Sequence, residues 1–185
     1  MTRVLPHLVR HYPRSEELVC LHEAGHVERI LTAGGMPEFV EIYDDPEPFG
    51  RSRAPVFVGR TRQEVAVAGY AVELSLFKES RLIDAAGVPV TMKQFIQGAV
   101  AEHAAEDKVR FFGENRERID GCWPPEDDLM FMQAGECLRT RLNMAFVEDF
   151  ATELLNRRRL EVPEIQAIAR RHGLLSPHVR PHKQP

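Results

Sequence analysis

One pentapeptide, His-Glu-Ala-Gly-His at positions 22–26, constrains this chain more than any other feature of its sequence. On an α-helix, residues i and i+4 lie on the same face, so His22 and His26 can both reach one metal ion. Glu23 is rotated by about 100° from His22, which places its carboxylate beside the metal ion as a base rather than on it. Two imidazoles with a nearby base predict a Zn²⁺ site with hydrolytic chemistry.

The residues around the motif are typical of one helix, from about Ser15 to Thr32. Ser15 is an N-cap residue, two glutamates follow it in the first turn, and a pair of glycines at 34 and 35 ends the helix. Gly25 costs roughly 1 kcal/mol relative to alanine in a helix interior. We therefore expect another element, such as a neighbouring backbone, to pack closely against Gly25.

The length and charge of the chain limit the classes of protein to which it can belong. With 185 residues, the chain is long enough for one domain with a hydrophobic core and too short for two sizeable ones. We expect a single domain over residues 1–175, followed by a disordered, basic and proline-rich tail over residues 176–185. The net charge of −4 gives no reason to expect binding to nucleic acid.

Hydropathy and cysteine usage predict the compartment. No apolar run approaches the ~20 residues that a helix needs to cross a bilayer, and the N-terminus lacks the apolar core of a signal peptide. The 3 cysteines are odd in number and form no C-x-x-C pair, so a disulfide framework is not expected. We therefore expect no membrane segment and a location in the reducing cytoplasm.

The hydrophobic pattern predicts a mainly α (α+β) fold. Two short apolar runs, Phe39–Tyr43 and Pro55–Gly59, flank a loop and predict a small β-hairpin or short sheet beside the zinc helix. Helical periodicity predicts five further helices, with a candidate break near Gly98 in the second. They cover residues 62–77, 91–112, 128–142, 145–158 and 162–173.

A catalytic zinc ion needs a third protein ligand besides two histidines. Asp127 and Asp128 stand at the start of a helix, where aspartates usually act as caps, but one of the two can cap while the other turns inward. Glu73 is a further candidate, because other H-E-x-x-H enzymes take a glutamate from a following helix. Otherwise Glu73 is a buried helix acid with a partner, and the residues alone leave all three acids open.

The motif and several later stretches resemble, in the same order, the peptidase domain of the FtsH-type, membrane-associated AAA proteases. Ala68–Leu74 is similar to the family's G-R-A-A-E helix, with Tyr70 in place of arginine. Asp127-Asp128-Leu129 is similar to the N-D-[LI] that supplies the family's aspartate ligand. The stretch from Ala151 to Ile165 is similar to the family's closing A-x-x-L-L…L-x-x-x-E-I, and Val56–Arg60 more weakly resembles a strand segment.

This resemblance implies a helical, zincin-like peptidase domain in which His22, His26 and Asp128 hold Zn²⁺, with Asp127 as the next choice. It also implies that Glu23 acts as the general base in the hydrolysis of peptide bonds. The family's ATPase module and membrane anchor have no counterpart in this sequence. The expected enzyme is therefore a stand-alone endopeptidase whose substrates are flexible or unfolded polypeptides.

The alternative function is a non-catalytic zinc-binding scaffold or interaction protein that retains the peptidase fold. Glu23 favours the enzyme, because a scaffold has no use for a general base. A homo-oligomer and a separate ATPase are the partners considered besides the polypeptide substrate. One of the predicted strands, Phe39–Tyr43 or Val56–Gly59, could pair through an open edge with an extended substrate.

Other reactive residues have simpler interpretations. Cys20 lies close to the metal-binding face of its helix and is expected in the core, while Cys122 is a weak candidate ligand. His103 is expected on the surface of a helix.

Overall fold

The structure is a computed structural model that describes residues 2–44 and 48–175. Within these ranges, the chain forms eight α-helices, one π-helix and five short strands. The expected mainly α (α+β) fold is therefore confirmed. The expected disordered tail, residues 176–185, lies outside the described residues. The helices are α1 (Glu16–Thr32), α2 (Gly59–Ala66), α3 (Ala68–Lys78), α4 (Met92–Phe95), the π-helix (Ile96–His103), α5 (Ala105–Phe112), α6 (Pro125–Arg139), α7 (Met144–Arg157) and α8 (Val162–Arg171).

Helix α1 is the central element of the fold. It begins where the Ser15 side chain accepts a hydrogen bond from the backbone N–H of Leu18, as expected for an N-cap. Every residue from Leu18 to Leu31 is buried, because α3 and α7 pack against α1 and the three-stranded sheet lies beside it. The motif of residues 22–26 is thus enclosed on a rigid helix rather than displayed on the surface.

Gly25 allows the close approach between α1 and α3 that the sequence predicts. A Cβ atom at this position would lie 2.8 Å from the backbone oxygen of Ala68 and 2.7 Å from a methyl group of Val72. Real Cβ atoms do not come so near to backbone, so a side chain larger than hydrogen would push the two helices apart. The cost of glycine in the helix interior is thus offset by this packing.

The strands form two small sheets. Strands β1 (Val9–Tyr12) and β4 (Leu82–Asp84) pair in parallel. In the second sheet, β2 (Phe39–Asp44) pairs antiparallel with β3 (Pro48–Arg53) on one side and β5 (Arg159–Glu161) on the other. The order β3-β2-β5 leaves β3 at an edge.

The first predicted strand is confirmed, and the position of the second is wrong. Phe39 pairs with Arg53, so β2 offers no partner to residues beyond 53. Residues 54–58 therefore continue as an irregular segment after β3. Val56 and Val58 are 94% and 80% exposed, and the segment borders the cleft described below.

Two of the predicted helices are divided in the structure. The helix expected over residues 62–77 breaks at Val67 into α2 and α3. The helix expected over 91–112 becomes α4, the π-helix and α5, and Gly98 lies inside the π-helix. The three later helices are confirmed in type, with ends shifted by a few residues. Among the described residues, no helix has the length and apolar character needed to cross a membrane.

Candidate metal centre

The two histidines of the motif present their Nε2 atoms to the same place. His26 donates its Nδ1–H to the backbone oxygen of Val65 at 2.7 Å, and since that oxygen only accepts, Nε2 is the free nitrogen. The Nδ1 atom of His22 lies 2.8 Å from Glu73 Oε1, and this carboxylate fixes the same tautomer. The break at Val67 makes the Val65 oxygen available to His26. Val65 lies in the last turn of α2, where carbonyl groups lack an intrahelical partner.

Asp107, at the start of α5, completes the group. Its Oδ2 atom lies 2.9 Å from His22 Nε2 and 3.3 Å from His26 Nε2. The three side chains are buried, and one donor atom from each lies within 4.8 Å of the others. Two imidazole nitrogens and one carboxylate oxygen form a donor set that suits zinc and leaves a fourth position open.

The structure does not bring Asp128 to the two histidines, which corrects the expected ligand. Asp128 Oδ1 accepts a hydrogen bond from Lys108 Nζ at 2.7 Å, because that buried ammonium group requires a counter-charge. Asp127 does not join the two histidines either. It forms a bidentate pair with Arg116, at 2.6 and 2.7 Å. The resemblance to N-D-[LI] thus selects Asp127 and Asp128 at the start of α6, and both side chains pair with basic residues instead of the histidines.

Sequence reasoning missed Asp107 because nothing local distinguishes it. It follows Glu106 in the first turn of α5, where acids commonly stabilise the helix dipole. Its Oδ1 atom accepts a hydrogen bond from Arg110 at 3.3 Å, a pairing that is also common on solvated helices. Only the packing of α5 against α2, a long-range contact, turns this acid towards the histidines.

The electrostatics of the centre favour a positive charge within it. Burial and the charge of Arg14 lower the pKa of His22, but its carboxylate partners Asp107 and Glu73 outweigh them and raise the pKa to about 9. Burial raises the pKa of Asp107, yet the neighbouring His26 and His22 hold it far below its ordinary value. Two ionised, buried carboxylates thus face the two imidazoles, and a divalent cation matches this charge.

Glu23 is placed beside the centre rather than within it. It is 9% exposed and lines a cavity of about 340 Å³ that also reaches His22 and Asp107. Gly50, on β3, borders this cavity, and a Cβ atom there would lie 2.7 Å from Glu23 Oε1. The edge strand therefore approaches the carboxylate through a residue with no side chain.

Gly69 has the corresponding role for His22. A Cβ atom at position 69 would overlap the His22 ring, so only glycine lets α3 pass behind this imidazole. Glu73 follows one turn later on the same helix and supplies the hydrogen-bond acceptor for His22 Nδ1. Glu73 thus supports a ligand without being one of the three convergent donors.

A larger cleft of about 910 Å³ reaches the centre from the other side, at His26. Its walls combine apolar side chains, including Val56, Phe57 and Phe112, with the guanidinium group of Arg62. The irregular segment over residues 54–58 runs along it. The centre is therefore accessible to something larger than a water molecule.

The remaining reactive residues are divided between core and surface. Cys20 is buried in the hydrophobic core, as expected, and Cys122 is exposed. The expected surface position of His103 is wrong, because its side chain is 5% exposed and its Nδ1 lies 2.8 Å from Glu73 Oε2.

Neither a protein-family model nor a curated protein matches this chain.

Proposed function

We propose that this chain is a zinc-dependent endopeptidase that cleaves flexible or unfolded polypeptides, with His22, His26 and Asp107 as the zinc ligands. The observation that carries the proposal is the convergence of these three buried donors beside Glu23 in an accessible cavity. The match of a two-nitrogen, one-oxygen donor set with a nearby carboxylate is the arrangement that hydrolytic zinc sites need.

A bound zinc ion supplies Lewis acidity, polarising a peptide carbonyl and lowering the pKa of a water molecule to about 7. Glu23 accepts a proton from the attacking water as the new C–O bond forms. It then returns that proton to the amine nitrogen as the peptide C–N bond breaks. Val65 and Glu73 hold the two imidazoles in one tautomer and one orientation, so that the ligands are prepared before substrate arrives.

The open edge of the three-stranded sheet supports an extended substrate. Strand β2 is paired on both sides, so Phe39–Tyr43 is not available as an edge. Strand β3 has a strand partner on one side only among the residues that the structure describes, and it carries Gly50 next to Glu23. Beyond β3, the backbone groups of residues 54–57 make no hydrogen bond to any other described residue. We propose that substrate backbone pairs along this edge by β-augmentation.

The cleft supports a preference for apolar side chains next to the cleaved bond. Val56, Phe57 and Phe112 line the cleft that reaches His26, and burying an apolar side chain against them contributes roughly 1.5–3 kcal/mol. Folded domains cannot offer an extended, unpaired segment to such an edge. The proposal therefore restricts the substrates to flexible chains or to chains that a separate unfolding ATPase delivers.

We also propose a cytoplasmic location. The three cysteines are all free, which agrees with a reducing compartment. A homo-oligomer is compatible with this proposal but is not needed for it, because one chain supplies all three donors and the base.

The alternative is a zinc-binding scaffold that uses the same three ligands and cleaves nothing. The burial of Glu23 beneath Gly50 favours it, because access to the base is narrow. Glu23→Gln discriminates, since glutamine keeps the shape of the side chain and loses the base. If the chain is an enzyme, the Glu23→Gln variant cleaves fluorescent casein at least about 10²-fold more slowly than the wild type and keeps its zinc. If the wild type cleaves no casein at any zinc loading, the result supports the scaffold.

A further inference from the structure

A second group of metal-binding side chains lies behind His22, on the far side of Glu73. It consists of His11 on β1, Glu73 on α3 and His103 at the end of the π-helix, and one donor atom from each lies within 4.8 Å of the others. The side chains of His11 and Glu73 are fully buried, and that of His103 is nearly so. His11 and His103 take no part in the proposed reaction.

The two oxygens of Glu73 face different neighbours. Oε1 lies 2.8 Å from His22 Nδ1 and 3.6 Å from a guanidinium nitrogen of Arg14. Oε2 lies 2.8 Å from His103 Nδ1 and 3.5 Å from His11 Nε2. One oxygen therefore supports the catalytic centre while the other belongs to the second group.

Buried nitrogens that make no hydrogen bond are concentrated around this group. Both ring nitrogens of His11, Nε2 of His103 and two guanidinium nitrogens of Arg14 make no hydrogen bond among the described residues. Buried polar atoms are normally satisfied, so such a concentration indicates an additional ligand. A metal ion bound through His11 Nε2 gives a partner to one of these atoms.

The surrounding chain makes room for the His11 ring and gives a path to it. A Cβ atom at Gly98 would lie 3.0 Å from His11 Nδ1 and 3.1 Å from His11 Nε2. The π-helix can therefore lie this close to the ring because residue 98 is a glycine. A cavity of about 380 Å³ reaches His11, and the catalytic cavity of about 340 Å³ reaches His103. An ion can thus approach from either side.

We propose that His11 Nε2, His103 Nδ1 and Glu73 Oε2 form a second, structural zinc site that shares Glu73 with the catalytic centre. Zn–N and Zn–O bonds of about 2.0–2.2 Å in tetrahedral geometry place donors about 3.3–3.5 Å apart. The 3.5 Å between His11 and Glu73 matches this spacing, and the 2.8 Å between His103 and Glu73 needs a shift of about half an ångström. Two imidazoles and a carboxylate select zinc over magnesium or calcium.

The charges near the site tolerate a divalent ion despite Arg14. Glu73 supplies a carboxylate whose Oε2 atom faces His103 and His11. Arg14 contacts Oε1 rather than Oε2, so it occupies the side of Glu73 that faces the catalytic centre.

The site links three elements that are distant in sequence: β1, α3 and the π-helix. Zinc bound there fixes Glu73 and, through it, the orientation of His22. Its occupancy therefore raises the melting temperature in proportion to the logarithm of the free zinc concentration.

Zinc stoichiometry tests this site. The chelator-treated chain is loaded with Zn²⁺, desalted and measured by elemental analysis. We expect two equivalents in the wild type, one in Asp107→Ala, one in His103→Ala and none in the double variant. Glu102→Ala, a neighbour of His103 on the π-helix, is the control and keeps two. One equivalent in the wild type that His103→Ala leaves unchanged would overturn the second site.

The two zinc sites can fail separately. Suppose that the wild type binds one equivalent of zinc, which His103→Ala loses and Asp107→Ala keeps. This result would contradict the proposed catalytic centre and support the second site. Should His103→Ala fail to fold, Co²⁺ binding to Asp107→Ala provides the same test without it. Visible absorption bands of tetrahedral or five-coordinate Co²⁺, at one equivalent, support the site, and their absence contradicts it.

Discussion

Gly50 lies directly against the carboxylate of Glu23, so close that a Cβ atom at position 50 would be 2.7 Å from Glu23 Oε1. The edge strand and the proposed base therefore share a contact that only glycine allows. This contact links the place where substrate is expected to pair with the group that is expected to handle the proton.

Gly50→Ala tests that link. The three atoms nearest to the added methyl group all belong to Glu23, so we expect Glu23 to move and the zinc content to stay at the wild-type value. We expect kcat for casein peptides to fall at least about tenfold, a part of the 10²–10⁴ that general acid–base catalysis supplies. Ser52→Ala, on the same strand, is the control and should retain activity. Equal activity in Gly50→Ala and the wild type would argue against Glu23 as the base.

Gly69→Ala should act on the metal instead. A Cβ atom at 69 overlaps the His22 ring, so the imidazole must turn away from Asp107. We expect zinc affinity for the catalytic centre to fall about 10- to 100-fold, as when support for a ligand is lost. Chelator competition measures it. Gly25→Ala is the comparison, because it separates α1 from α3 by overpacking and should lower stability by about 1–3 kcal/mol. Unchanged zinc affinity in Gly69→Ala would contradict the described position of His22.

Glu73→Gln removes the charge that faces His22 Nδ1 and keeps a hydrogen-bond acceptor. Loss of such a carboxylate typically weakens a zinc site 10- to 100-fold. We therefore expect the zinc concentration that gives half-maximal peptidase activity to rise by about that factor, with little change in kcat at saturating zinc. Glu102→Gln, which lines the same cavity, should leave the zinc dependence unchanged. If both variants behave alike, Glu73 does not position His22.

Thiol reactivity and its pH dependence test the packing around α1. Burial raises the pKa of the Cys20 thiol far above its ordinary value, with the charges of Glu16 and Glu17 adding to the effect. A raised thiol pKa means that the protonated form persists as pH rises. Cys20 should therefore stay unreactive to alkylating reagents from pH 7 to pH 9, while the exposed Cys122 and Cys137 react. Mass spectrometry should find two labels on the native chain, at Cys122 and Cys137, and three on the unfolded chain, where Cys20 also reacts.

Much of the fold and two of the three convergent donors, His22 and His26, can be predicted from the sequence, for physical reasons that are visible in particular residues. Helix α1 carries its own signals, namely Ser15 as N-cap and an i,i+4 histidine pair, so its position needs no tertiary information. Glu73 could be named as a candidate because a glutamate one helix later is a common partner. In the structure, Glu73 instead accepts a hydrogen bond from His22 Nδ1. This contact depends on how closely α3 packs against α1, which the sequence does not reveal.

The rest depends on long-range contacts. Asp107 and Asp128 both stand in the first turn of a helix, and local chemistry cannot separate a ligand from an acid that pairs with Lys108. The second strand was misplaced because Val56 and Val58 are apolar yet exposed. They border a cleft instead of filling a core. The π-helix that buries His103 has no local signal that periodicity can detect.

The measurement that tests the account most directly compares Asp107→Ala with Asp128→Ala in zinc content and casein cleavage. We predict that Asp107→Ala loses one zinc equivalent and all detectable cleavage. Asp128→Ala should keep the wild-type zinc content and cleavage, and lose only the stability that its pairing with Lys108 contributes. Wild-type zinc and cleavage in Asp107→Ala, or their loss in Asp128→Ala alone, would contradict the assignment of the centre.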